Sequence, residues 1–210
     1  MSARFAGESM FKRELQISLR ATVVTLLLTG IAYPLAVTGA ALLFFPNRAR
    51  GSLVADERGR IAGSELIAQA FTGAGYLWPR PSAAGEKGYD ATASGGSNLG
   101  PTSKALRDRV AKEVERLLAE NPDGQRPVPA ELVTTSGSGL DPHLSPAAAL
   151  WQVPRVAHAR GVDPARIRAV VEANIESREL FVLGEPRVNV LLVNLALDRQ
   201  FGRPPSLAGR

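Results

Sequence analysis

Ser138, Asp141 and His143 fall inside one six-residue window, 138–143. Serine, aspartate and histidine are the parts of a nucleophile, an orienting carboxylate and a base, so the window invites a hydrolase reading. Its spacing opposes that reading. A nucleophile elbow needs a G-x-S-x-G turn between a strand and a helix, and Gly137-Ser138-Gly139 is shorter than that. Triad members come from distant segments, and three side chains this close along the chain do not easily converge on one another. The structural alternative is that Asp141 caps a turn and His143 packs beside Pro142.

The window belongs to the second of two Ser/Gly-rich runs, residues 89–101 and 133–143. Successive glycines can present backbone amides to a phosphate, which makes Ser94, Gly95, Gly96, Ser97 and Asn98 the candidate nucleotide-contacting residues. No lysine follows the glycines as it does in G-x-x-x-x-G-K-[ST], so the phosphate-loop pattern is incomplete. The alternative is a pair of tight turns in which glycine supplies positive φ and Ser and Asn bond locally. Metal chemistry has less to work with. The two histidines, His143 and His158, have no ligand partner at i+4, and there is no cysteine to supply a thiolate or a disulfide. The carboxylates are scattered singly and suggest no acid–base pair.

The element that sets the architecture is an uncharged run of 25 residues, 21–45. As a helix it reaches roughly 37 Å, enough to cross a hydrocarbon core of ~30 Å. Signal-peptide apolar regions run only ~7–15 residues, so the length favours an uncleaved anchor over a cleaved leader, although Thr38-Gly39-Ala40 offers the small residues a peptidase accepts. The expected organisation is a tail over 1–20, a transmembrane helix over 21–45 and a soluble domain over 46–210. Arg4, Lys12, Arg13 and Arg20 precede the run, and Arg48, Arg50, Arg58 and Arg60 follow it. That balance leaves orientation open under the positive-inside rule. Within the run Thr29, Ala32, Ala36, Gly39 and Ala40 recur at i+3/i+4, and small residues at that spacing let a second helix approach closely. Pro34 removes the amide that would bond the Gly30 carbonyl, which a neighbouring helix or a threonine hydroxyl could supply instead.

The soluble part reads as mixed, α+β. Residues 51–64 carry a hairpin pattern with Asp56-Glu57-Arg58-Gly59 as its turn. Residues 66–71 read as one or two helical turns. The loop-rich stretch 73–101 holds Tyr76, Trp78 and Tyr89, which points to an ordered, packed loop. Residues 103–120 form the clearest helix, with Leu106, Val110, Val114 and Leu117 on one face and Arg109 paired to Glu113 at i,i+4. Residues 127–135 read as extended. Ser145-Pro146 starts a helix to Arg160 that Pro154 kinks and Gly161 ends. Asp163-Pro164 starts another, carrying Ile167, Val170, Val171 and Ile175. The Pro-rich end, 201–210, is expected to fray. The net charge of +5 is scattered without a polybasic block, which argues against a nucleic-acid partner.

Taken as strings, several segments resemble one family, the C subunit (KdpC) of the bacterial Kdp potassium-transporting P-type ATPase. The specific ones are Ser-Gly-Gly-Ser-Asn-Leu-Gly-Pro at 94–101 and Ser-Gly-Ser-Gly-Leu-Asp-Pro at 136–142. Residues 63–67, 76–83, 152–161 and 183–191 agree as well, and the resemblance runs from the span to Asp198. Leu77, Pro79, Glu131 and Trp151 stand where that family usually carries Phe, a small residue, Asp and Tyr.

The resemblance implies a cytoplasmic N-terminus, one span in the inner membrane and a periplasmic domain. It implies two protein partners, a channel-like potassium-binding subunit and an ATP-hydrolysing subunit, besides membrane lipid. It also implies ATP for the complex, with no cofactor of the chain's own, and a rise in the ATP affinity of the hydrolysing subunit. Ala32, Ala36, Gly39 and Ala40 are the partner-contact candidates. The chain has no Asp-Lys-Thr-Gly phosphorylation motif and no Walker A loop, and one helix cannot enclose an ion path. The expected role is thus a non-catalytic accessory subunit, and the rival class is a membrane-tethered extracytoplasmic hydrolase using Ser138.

Overall fold

The computed structural model describes residues 2–204, with side chains from Met10 onward. The chain divides into two units between Ser52 and Leu53. In the first, α1 (Ser2–Leu27) passes through a π-helical turn (Leu28–Ala32) into α2 (Tyr33–Phe44), followed by the short α3 (Pro46–Ala49). The stretch Met10–Phe44 is long and apolar enough to cross a membrane, and none of its side chains is buried. The helix begins far upstream of the uncharged run, so much of the expected tail is helical.

Pro34 explains the π turn. It cannot donate to Gly30, and its ring crowds that carbonyl. The backbone widens just before it, and the Tyr33 amide reaches the Leu28 carbonyl five residues back. The threonines do not turn to Gly30. Thr29 Oγ1 donates to the Thr25 carbonyl at 2.7 Å and Thr25 Oγ1 to that of Ala21 at 2.6 Å.

The second unit opens with the expected hairpin, β1 (Leu53–Ala55) antiparallel to β2 (Ile61–Ser64). Asp56 closes its turn by accepting from the amides of Arg58 (3.0 Å) and Arg60 (2.9 Å). Next come α4 (Lys104–Glu120), β3 (His143–Leu144), α5 (Pro146–Trp151), α6 (Val153–Arg160), α7 (Pro164–Ala173), β4 (Ile175–Glu176), β5 (Arg187–Asn189) and α8 (Val190–Phe201). The last three strands form one antiparallel sheet in the order β3-β5-β4. The caps are those the residue types require. Ser103, Ser145, Asp163 and Asn189 each accept an amide from the first turn of the following helix, and Gly161 ends α6 at φ +64°. The core joins Leu144, Val156, Ile167, Val171, Val188, Val193 and Leu197 with Leu77 and Trp78 from the long loop.

Five expectations change. Residues 66–71 form no helix, because the Ala68 amide is drawn to the Leu140 carbonyl at 2.9 Å. Residues 127–135 are not extended throughout but carry a 3-10 turn, Ala130–Leu132, that buries Leu132 and Val133. The helix from Ser145 is interrupted for one residue, at Gln152, which stays right-handed helical at φ −84° and ψ −9°. The kink thus falls two positions before Pro154, and the chain resumes as α6. Ile175 lies in β4 and not in α7. Glu113 pairs with Arg116, at 2.5 Å, and not with Arg109. The expected fraying of 205–210 lies outside the described residues.

The loop 73–101 is ordered, and its anchors are polar. Asn194 Oδ1 accepts from the Leu77 amide at 2.8 Å while its Nδ2 donates to the Leu77 carbonyl at 2.9 Å. Gln152 does the same for Trp78, at 2.9 and 3.0 Å. Two buried side-chain amides thus stand in for a neighbouring strand and satisfy backbone groups whose burial unpaired would cost about 1–3 kcal/mol each. Arg155 completes the clamp. Its guanidinium lies 3.5 Å from the Trp78 ring centroid and donates to the carbonyls of Ala74 and Tyr76.

Candidate functional site

The fold brings the two Ser/Gly runs against each other. The Gly95 amide donates to the Ser138 carbonyl at 2.8 Å, and Ser94 Oγ donates to the same oxygen at 3.1 Å. Thr135 Oγ1 donates to Ser97 Oγ at 3.2 Å. The approach is too close for side chains. A Cβ on Gly96 would stand 3.0 Å from the Gly137 carbonyl oxygen. Gly139 holds φ +68°, and a Cβ there would stand 2.6 Å from the Gly95 oxygen and 2.8 Å from the Ala84 nitrogen. Gly139 is therefore required by geometry, and a side chain at Gly96 would need its neighbours to give way.

A third strand of chain ties the pair together. Ser82 Oγ donates to the Gly139 carbonyl at 2.6 Å and accepts from the amides of Ala84 (3.1 Å) and Tyr89 (2.8 Å). Arg80 joins the second run through Asp141 (3.2 Å) and the Thr135 carbonyl (3.2 Å). Tyr89, at φ +58°, donates its hydroxyl to the Arg80 carbonyl at 2.9 Å. Burial, helped by Glu113, pushes that phenol up to about 12, so it stays a donor. Sequence reasoning missed Ser82 and Arg80 as clasps. Both act over more than fifty positions, and no local pattern marks them.

The hydroxyl of the hydrolase window bonds away from any base, while the carboxylate stays beside His143. Ser138 Oγ accepts from the Leu140 amide at 3.1 Å and lies 3.4 Å from Ser136 Oγ, neither of which is a base. Asp141 Oδ1 accepts from the His143 amide at 3.0 Å, the expected local turn, with His143 Nδ1 3.6 Å away. The His143 imidazole, the amide of the same residue and Arg80 hold the Asp141 carboxyl below the usual carboxylate value, against the opposing effect of burial. Asp141 thus serves a turn and an ion pair.

Of the candidate nucleotide contacts, Gly95 has committed its amide, Gly96 is pressed onto the second run, and Ser94 and Ser97 bond across to it. Asn98 sits at φ +51°. The cluster is a junction between the two runs, in which Gly95 and Ser94 converge on one carbonyl. In the other unit, a Cβ placed on Gly39 would meet nothing within 4 Å beyond its own helix backbone, and Ala32, Ala36 and Ala40 are uncovered. The π turn takes Thr29 out of the α-helical phase of Ala36, Gly39 and Ala40, so the small face is narrower than regular spacing predicts.

A family model described as the c chain of K+-transporting ATPases, KdpC, matches residues 15–199. A Potassium-transporting ATPase KdpC subunit from Myxococcus xanthus is 65% identical over 191 residues, covering 91% of this chain and 90% of that protein. The subunit of the same description from Rhodospirillum rubrum is 58% identical over 175 residues, 83% of this chain and 90% of the relative. One from Nitratidesulfovibrio vulgaris is 55% identical over 183 residues, 86% and 92%.

Proposed function

Since the chain belongs to the KdpC family, the c chains of K+-transporting ATPases, we propose that it is a non-catalytic, single-span subunit that stabilises this potassium uptake complex from outside the cytoplasm. The partners are the channel-like potassium-binding subunit and the ATP-hydrolysing subunit. The helix Met10–Phe44 anchors the chain and offers Ala36, Gly39 and Ala40 to a partner helix. The domain from Leu53 onward caps the potassium-binding subunit.

The observation that carries the non-catalytic reading is the Gly95–Ser138 junction. The Gly95 amide and the Ser94 hydroxyl are spent on the Ser138 carbonyl across the two runs, and the Ser138 hydroxyl is spent on the Leu140 amide. A nucleophilic serine needs a base within hydrogen-bond reach, and the partners of Ser138 are an amide and another hydroxyl. The same closure favours an indirect route for any rise in ATP affinity. Residues 94–98 do not hold the nucleotide, and the effect passes through contacts with the other subunits as a coupling free energy.

Placement is tested with intact spheroplasts. Protease added outside should remove the domain that follows Ser52, with the tail before the helix protected. Full protection of the domain would overturn the orientation and the capping role with it.

A further inference from the structure

The link between β4 and β5 ends in an apolar tip that the fold leaves bare. Glu179 and Leu183 bond to each other twice, amide to carbonyl, at 2.9 Å each way. Between them stand Leu180, Phe181 and Val182. Exposures are 80% for Leu180, 91% for Phe181, 70% for Val182 and 57% for Leu183. The tip is nonetheless built. The Phe181 amide reaches the Arg178 carbonyl and the Val182 amide that of Glu179, both at 3.2 Å. Leu180 and Phe181 hold φ +50° and +65°, a region that bulky L-residues avoid. The turn thus aims its largest side chains into solvent and gains no packing in return.

Below the tip is a collar of charges that close on themselves. Arg178 pairs with Glu185 at 2.6 Å, and Arg187 with Glu176 at 2.8 Å and Glu179 at 3.5 Å. Two guanidinium groups face three carboxylates, so the collar is slightly acidic and has no spare cation.

We infer that this tip is a plug that seats in an apolar pocket on the extracytoplasmic face of another pump subunit, which rests on the proposed function. Area and charge select that occupant. Four side chains this exposed present on the order of 500 Å² of apolar surface, enough to mark an interaction site. A stable interface needs about 800 Å² from each partner, so two tips alone do not hold two copies together. An anionic lipid surface recruits loops through free lysines and arginines, and this collar offers none. A neutral or weakly basic protein rim fits it. The turn's own hydrogen bonds set its shape before docking, which lowers the ordering cost of association.

The chain has no cysteine, so Phe181→Cys carries a single fluorescent label. The labelled full-length chain is compared alone in mild detergent and in the whole complex in bilayers containing brominated acyl chains. The expected result is strong quenching by aqueous iodide in the chain alone. In the complex the label should be shielded from both iodide and the brominated lipid. Quenching by lipid in the complex would replace the pocket with the membrane. Unchanged iodide quenching would leave the tip without an occupant. Shielding in the isolated chain at the mass of two copies would make the partner a second copy.

Phe181→Asp should lower recovery of the other subunits about tenfold or more with the melting temperature of the free chain unchanged. Wild-type recovery with equal recovery for Phe181→Asp overturns the plug alone. Failure of the unsubstituted chain to recover any pump subunit overturns the proposed function and the plug together.

Discussion

At the junction of the Ser/Gly runs, space is so short that a single Cβ on Gly139 meets backbone atoms at 2.6 and 2.8 Å. Along the helix from Met10 to Phe44 no side chain is buried, and a Cβ added to Gly39 would meet nothing within 4 Å beyond its own helix backbone. Both regions are rich in small residues, for opposite reasons. In the junction, smallness is consumed inside the molecule. On the helix, it remains available to something outside. Composition alone does not separate a closed turn from an open docking face. What separates them is whether the polar groups and the space beside each small residue are already taken.

The sharpest way to break the contrast is to add bulk on each side of it. Gly139→Val should cost about 3 kcal/mol or more, because the branched Cβ meets both a positive φ and fixed backbone neighbours. For a domain of this size that is a fall in melting temperature of roughly 10 °C. Thermal unfolding monitored by near-ultraviolet circular dichroism of the detergent-solubilised chain reads it directly. A loss of less than ~1 kcal/mol would mean that the junction opens easily, and that its closure is a poor argument about function.

The same addition on the helix has a different expected readout. Ala36→Leu and Ala40→Leu should leave membrane insertion and domain melting unchanged, since nothing in the chain covers those positions. Recovery of partner subunits in mild detergent should drop about fivefold, which corresponds to ~1 kcal/mol of helix packing. If both variants assemble as well as the unsubstituted chain, the small face is composition and no docking surface.

How much of this could be read beforehand follows from the range of the forces involved. Helix starts were readable at Ser103, Ser145-Pro146 and Asp163-Pro164, because a cap is a contact within three residues. The hairpin over Asp56 was readable for the same reason. Residues 66–71 and 127–135 were not, since the Ala68 amide answers to Leu140 and Leu132 is pulled into the core. The pinning of Leu77 by Asn194 spans 117 positions and leaves no local trace. At the candidate site, the glycines and the local role of Asp141 were legible, whereas the pairing of the two runs was not. Turn chemistry is local and the junction is tertiary. The apolar tip at Leu180–Leu183 was hidden by the usual rule that an apolar run is buried.

The smallest expected effect divides the two readings of the junction most cleanly. Ser138→Ala removes the hydroxyl but keeps the size of the side chain. Its carbonyl, which receives Gly95 and Ser94, belongs to the backbone and stays in place. The loss is then confined to the bond from the Leu140 amide and the long 3.4 Å contact with the Ser136 hydroxyl, ~1 kcal/mol on a partly exposed loop. Cells that depend on this pump should grow on limiting potassium at an unchanged rate. A catalytic serine would behave in the opposite way, because removing a nucleophile abolishes turnover while the fold survives. Growth lost in Ser138→Ala, with the complex fully assembled and the melting temperature within a degree or two of the parent's, would return the hydroxyl to chemistry and overturn the structural account.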